Sequence, residues 1–135
     1  MGITVTVSTT GADKLARRMN DADALVGNFA LQVEANAKAA IQTGGKSGRT
    51  YRRGKKGVHT ASAPGEAPAT DTGQLVNSIQ SQREGRASWA VNVLDPKGRM
   101  LETGTRRILP RPFLKPAADK VRKPFYAAVR NMFRD

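Results

Sequence analysis

The chain has 135 residues and carries 23 Lys and Arg against 11 Asp and Glu, a formal charge of +12. The length suits one domain with one modest core, and an aromatic content of 5% leaves part of the chain outside that core, mobile or covered by a partner. With no cysteine, a disulfide framework, thiolate zinc sites and thiol nucleophiles are excluded together. The charge repels other copies of the chain and attracts phosphates or acidic protein surfaces.

No segment approaches the roughly 18 consecutive apolar residues of a membrane span. Met1-Gly2-Ile3 leads into alternating sequence without a signal-peptide pattern, so cytosolic folding and no membrane contact are expected.

Ile3, Val5 and Val7 alternate with Thr4, Thr6 and Ser8, the period of two that predicts a half-buried strand. From Asp13 the period changes. Leu15, Met19, Ala22, Val26, Phe29, Val33, Ala37 and Ile41 recur at steps of three and four, which predicts a long amphipathic helix ending near Thr43. Gly27 inside it costs about 1 kcal/mol against alanine, and so marks close packing or a bend.

Between residues 44 and 70 the periodicity stops. Lys46, Arg49, Arg52, Arg53, Lys55 and Lys56 are interspersed with glycines and no acid, and Ala61 to Ala69 has the Pro/Gly spacing of an extended, turning chain. A long basic arm or loop is expected, too poor in apolar residues to settle on its own domain, and taking a fixed shape against another molecule.

Asp71 and Gln74 have the spacing of a capping box, so a short helix is predicted with Leu75, Val76 and Ile79 on its buried side. A β-hairpin is expected from Ser81 to Arg83 and Ala87 to Leu94 around Glu84-Gly85-Arg86, with Trp89, Val91 and Val93 facing the core. Asp95-Pro96 reads as a cap with proline at the first helical position, and Gly104 as the stop of that short helix. The run from Thr105 to Leu114 is held extended by Pro110 and Pro112. Pro116 opens a last helix with Val121, Phe125, Ala128, Val129, Met132 and Phe133 on one side, and Pro124 within it predicts a kink or fresh start near Lys123.

Together these elements predict an α+β fold: a small antiparallel sheet packed by the long N-terminal helix and a C-terminal helix, in a single domain spanning 1–135.

Catalytic chemistry finds little footing. His59 is the only histidine and reads as a solvated loop residue, so no Ser/His/Asp arrangement or His-rich metal cluster can form. Asp13, Asp21, Asp23 and Glu34 fall on the long helix's surface, and Glu66 with Asp71 is the one candidate carboxylate pair for a nuclease metal. Gly44-Gly45 and Gly54-Lys55-Lys56-Gly57 neither follow a strand nor open a helix, as a phosphate-binding loop requires. No enzyme activity, cofactor or metal is expected. Tyr51 among its arginines is a thin version of a base-stacking platform, which keeps a basic nucleic-acid-binding module as the alternative reading.

Five motifs follow one another in order. They are Thr50-Tyr51-Arg52-Arg53-Gly54; Ser62-Ala63-Pro64-Gly65-Glu66-Ala67-Pro68; Asp71-Thr72-Gly73-Gln74-Leu75 with Ser78-Ile79; Leu101-Glu102-Thr103-Gly104-Thr105; and Arg111-Pro112-Phe113-Leu114-Lys115-Pro116-Ala117. The series resembles the neck or tail-completion family of long-tailed double-stranded DNA bacteriophages. The resemblance implies a structural virion protein assembled in the bacterial host cytoplasm. It implies a homo-oligomeric ring, six- or twelve-fold, at the head-to-tail junction, contacting head-closure and tail-terminator or tail-tube proteins, with the genomic duplex passing through its channel. No catalytic residue comes with it. Composition and order then point to Arg49, Tyr51, Arg52, Arg53, Lys55 and Lys56 in the arm, and Arg107, Arg111 and Phe113 in the proline-held connector, as subunit or partner contacts, with Phe113 as the apolar anchor.

Overall fold

A computed structural model of the chain describes residues 1–6, 13–43, 46–48, 50–52, 58–69 and 73–134, with the side chains of 13–17, 51–52 and 58 set aside. The elements are β1 (Gly2–Thr6), α1 (Asp13–Thr43), β2 (Thr50–Arg52), β3 (Val58–Thr60), α2 (Gln74–Asn77), β4 (Ile79–Gly85), β5 (Ser88–Val93), α3 (Pro96–Thr103) and α4 (Leu114–Met132).

The alternating residues at the N-terminus build β1, which pairs antiparallel with β5 through Ile3↔Val91 and Val5↔Trp89. Strand β4 pairs antiparallel with the other side of β5, so the sheet order is β1-β5-β4. Because side chains alternate along a strand, Ile3, Val5, Ile79, Trp89, Val91 and Val93 meet the core while Thr4, Gln80, Gln82 and Asn92 share the opposite, polar face. Both helices cover the apolar face. The predicted stripe of α1 is the floor of the core, with Ala22, Val26, Val33, Ala37 and Ile41 at 1% exposure or less, and Ala30, outside that stripe, is buried with them. Helix α4 adds Leu114, Ala117 and Val121, and Phe125 meets Phe29 of α1 edge to face with ring centroids 5.1 Å apart. The α+β fold with a small antiparallel sheet, a long N-terminal helix and a C-terminal helix is what the chain adopts.

Gly27 marks close packing. A Cβ there would stand 2.9 Å from Cε2 and Cζ2 of Trp89, so the indole lies directly on the α1 backbone. Polar groups on α1 that look like solvated surface also reach the sheet. Glu34 Oε1 accepts the Ser81 N–H at 2.9 Å, and Asp23 accepts from Arg83 Nε at 3.1 Å and from the Ala87 N–H at 3.0 Å. The Arg83 guanidinium, and then the Ala87 N–H, hold the Asp23 carboxyl below its ordinary pKa. The Ala87 bond also pins a residue whose φ of +55° is unusual outside glycine.

Several local expectations are corrected. The turn between β4 and β5 is at Arg86-Ala87, one or two residues later than expected, because a bulge at Arg83/Gly85 shifts the register. Helix α2 has only four residues, its N-cap is Gly73 at φ +80°, and Ile79 begins β4 instead of closing the helix. The proposed cap Asp71 lies outside the described residues. Helix α3 follows expectation, with Asp95 accepting the Lys97 N–H, Pro96 at the first turn and Gly104 at φ +77° after its end. Helix α4 begins at Leu114, two residues before Pro116, and runs to Met132 without a fresh start at Pro124. One continuous buried face, from Leu114 through Val121 to Phe125, holds the two halves in register despite the missing N–H.

Candidate functional site

The stretch expected to be a structureless arm contains a small hairpin. Strands β2 and β3 pair antiparallel with Thr50↔Thr60, Tyr51↔His59 and Arg52↔Val58 in register, and the Thr50 and Thr60 hydroxyls stand 3.3 Å apart. His59 is therefore a half-buried strand residue and not a solvated loop residue. The two strands form a sheet of their own, separate from β1-β5-β4.

What holds the hairpin is a polar latch at its base. Gly48 donates to the Ala61 carbonyl at 2.9 Å, and a Cβ on Gly48 would fall 2.5 Å from the Ser62 carbonyl oxygen, so only glycine lets the two chains approach this closely. Glu66 accepts the N–H of Ala63 at 2.9 Å and of Ser47 at 3.0 Å, and the Ser47 hydroxyl also bonds its carboxylate. These donors, the Ala63 N–H foremost, lower the Glu66 pKa from 4.5 to about 2. Glu66 is presented by a turn in which its own N–H returns to the Ala63 carbonyl (3.1 Å), with Pro64 and Gly65 (φ +86°) in the type II order. Lys46 Nζ donates to the Ala40 carbonyl of α1 at 3.0 Å and to the Ala67 carbonyl at 2.7 Å. Partial burial lowers the Lys46 pKa, opposed by the nearby Glu66 charge. Lys46 is thus a structural cation that closes the C-terminal turn of α1, not a free member of a basic arm.

A second bond couples this region to the connector, where Gly65 N–H donates to the Pro110 carbonyl at 3.0 Å. In the connector Thr105 Oγ1 accepts from the N–H groups of Arg107 and Ile108, and Arg111 N–H donates to the Leu101 carbonyl at 2.6 Å.

The expected contact residues separate in space and in kind. Arg49, Arg53, Lys55 and Lys56 lie outside the described residues, while Tyr51 and Arg52 have only their backbone described, in β2. Arg107 is exposed; Arg111 is half-buried, its Nε enclosed and without an acceptor among the described residues. Phe113 is the correction. Its side chain is fully buried, the largest in the core at that level, so the ring packs this chain's own interior and is not offered to a partner as an anchor. An apolar residue next to two prolines looks like an exposed anchor in one dimension; the fold turns it inward where the connector meets α4.

A cleft of about 400 Å³ opens beside the latch, bordered by Asn36, Thr43, Lys46, Glu66 and Lys120. Its carboxylate is already occupied by three donors, which leaves no free general base there. Among the described residues no group of three or more His, Asp or Glu is placed to hold a metal ion, and no helix is long and apolar enough to cross a membrane. Comparison of the chain with family models, curated proteins and solved structures finds no match.

Proposed function

We propose that this chain is a structural subunit of a tailed-phage virion, forming a ring at the head-to-tail junction between head-closure and tail-terminator proteins. The order of its motifs from Thr50 to Ala117 motivates the reading. The observation that carries it is the hairpin of β2 and β3, fixed at its base by Lys46, Ser47 and Glu66, whose strands pair with each other in a sheet separate from β1-β5-β4. A hairpin rich in basic residues and fixed at its root is suited to docking on a neighbouring subunit, because its base is preorganised before contact. Docking a single repeated surface onto a different surface of the next copy is the heterologous contact that closes rings.

Electron microscopy of the purified protein, alone and with a tail-terminator partner, tests this directly. Rings, or joining of the partner, are expected for the intact chain. Replacing residues 50–60 with a short Gly/Ser turn, while keeping Lys46, Ser47 and Gly48, abolishes them without changing the fold measured by circular dichroism. A chain that stays monomeric with its partners yet binds DNA tightly at physiological salt is instead a nucleic-acid-binding module.

A further inference from the structure

Helix α4 and the residues just after it are strongly basic. From Leu114 to Arg134 the chain carries six Lys and Arg and one acid, Asp119, whereas α1 carries four of each sign. Asp119 is held by Lys115 at 3.1 Å and by Arg122 at 3.3 Å. Lys120, Lys123, Arg130 and Arg134 keep no ion-pair partner among the described residues, and all four are exposed. Lys123 and Arg130, seven residues apart, lie on the face of α4 away from Leu114, Val121 and Phe125; Lys120 flanks them where it borders the cleft beside the latch, and Arg134 stands beside Arg130 just past the end of the helix.

The stripe is built for phosphates. Lys120 to Arg130 spans ~15 Å of helix, over which one strand of a duplex presents roughly four phosphates. A surface concavity of about 310 Å³ lies between Ala127, Arg130, Asn131 and Arg134, ringed by donors and large enough for a phosphodiester. Tyr126, exposed and three and four residues from Lys123 and Arg130, lies at the edge of the stripe and borders the groove on the β1 side with Phe125. An interface with a protein is centred on a cluster of aromatic and aliphatic anchors and is depleted in lysine, so a lysine-bearing stripe with one aromatic at its edge favours a phosphate backbone. Single-strand binding stacks successive bases on several aromatics, so one ring at the edge favours a duplex over a single strand.

We propose that Lys120, Lys123 and Arg130 on the outward side of α4, with Arg134 just after it, form a docking surface for the phosphate backbone of double-stranded DNA. It deepens the virion reading by assigning the genome contact to α4, but it rests on its own geometry. The contact is sequence-independent, and in a ring it is multiplied by the copy number.

The test is fluorescence anisotropy of a labelled 30-base-pair duplex with the full chain across a salt series. The variant K120A/K123A/R130A/R134A is compared with R86A/K97A/R99A/R106A, which removes the same charge from other exposed positions. The α4 variant is expected to flatten the slope of log affinity against log salt by about 3.6, which is 0.9 for each of four contacts. The control variant keeps most of the slope. Equal loss in both variants, an unchanged slope in the α4 variant, or no duplex binding by the intact chain at 50 mM salt overturns the proposal. Polyglutamate of matched charge competing as well as duplex overturns it in favour of an acidic protein surface. Circular dichroism verifies that the variants fold. Rings are read separately: an intact chain that binds duplex through α4 and never forms rings sinks the assembly proposal and leaves this one standing.

Discussion

Glu102 Oε2 accepts the backbone N–H of Phe113 at 2.8 Å, joining the end of α3 to the start of α4. The same carboxylate takes the N–H of Leu114 at 3.0 Å and of Lys115 at 2.8 Å, so one side chain satisfies three donors that a helix start leaves without partners. Its negative charge also sits at the positive end of the helix dipole. Replacing Glu102 with Ala is expected to cost about 1–2 kcal/mol, with Glu102→Gln losing less because an acceptor remains. Thermal unfolding reads it as a fall in Tm of roughly 3–8 °C for the alanine variant. A variant that melts with the parent would show that the cap contributes nothing.

Glu66 makes the hairpin's root sensitive to acid. Its pKa is about 2 when folded against an ordinary 4.5, so the native state holds the charged form more tightly than the unfolded chain does. The contribution is full above pH 4.5 and is lost as pH falls from there toward 2. The protection factors of the Ser47 and Ala63 amides, exchange rates divided into the intrinsic rate at each pH, are expected to fall across that window in the parent chain. In Glu66→Gln the protection is already low at neutral pH and nearly constant between those limits. Constant protection in the parent would contradict the latch.

At Gly27 two effects oppose each other. Alanine gains about 1 kcal/mol of helix propensity, but its Cβ would sit 2.9 Å from two ring atoms of Trp89. The indole is half-buried and must move off the α1 backbone, which wins: Gly27→Ala is expected to lose about 1–2 kcal/mol net and to shift Trp89 emission to longer wavelength. In a Trp89→Phe background the penalty shrinks, because a smaller ring leaves room for the methyl, and a double-mutant cycle by urea denaturation measures the coupling.

Phe113 separates a folding role from an interface role. The ring is fully buried, so Phe113→Ala is expected to cost about 3–5 kcal/mol by urea denaturation, while Phe113→Leu keeps most of the packing. Any assembly defect of the alanine variant then follows its loss of stability, and the leucine variant assembles normally. A stable alanine variant that fails to assemble would restore the ring as a partner anchor.

Elements whose signal is local and periodic were legible in the chain alone. The alternation at Ile3 and Val5, the three-and-four spacing from Ala22 to Ile41, and the Asp95-Pro96 start with its Gly104 stop each depend on neighbours within a few residues, and each appears where the pattern puts it. Pro124 was misleading for the same reason: the local cost of a proline is visible in sequence, whereas the buried face that keeps α4 continuous belongs to packing with α1.

What the sequence by itself determined is the α+β architecture, the concentration of positive charge and the residues able to form a core, because hydrophobic period and charge are properties of the chain. What the tertiary structure decided is how polar groups are used. Asp23 and Glu34 bind the sheet 47 to 64 residues away, Glu66 reaches back 19 residues to Ser47, Glu102 caps a helix it does not belong to, and Phe113 turns inward. A carboxylate or an aromatic ring carries no mark of its partner in one dimension. Its role is set when a distant stretch of backbone arrives with unpaired N–H groups, or with an apolar space of the right shape.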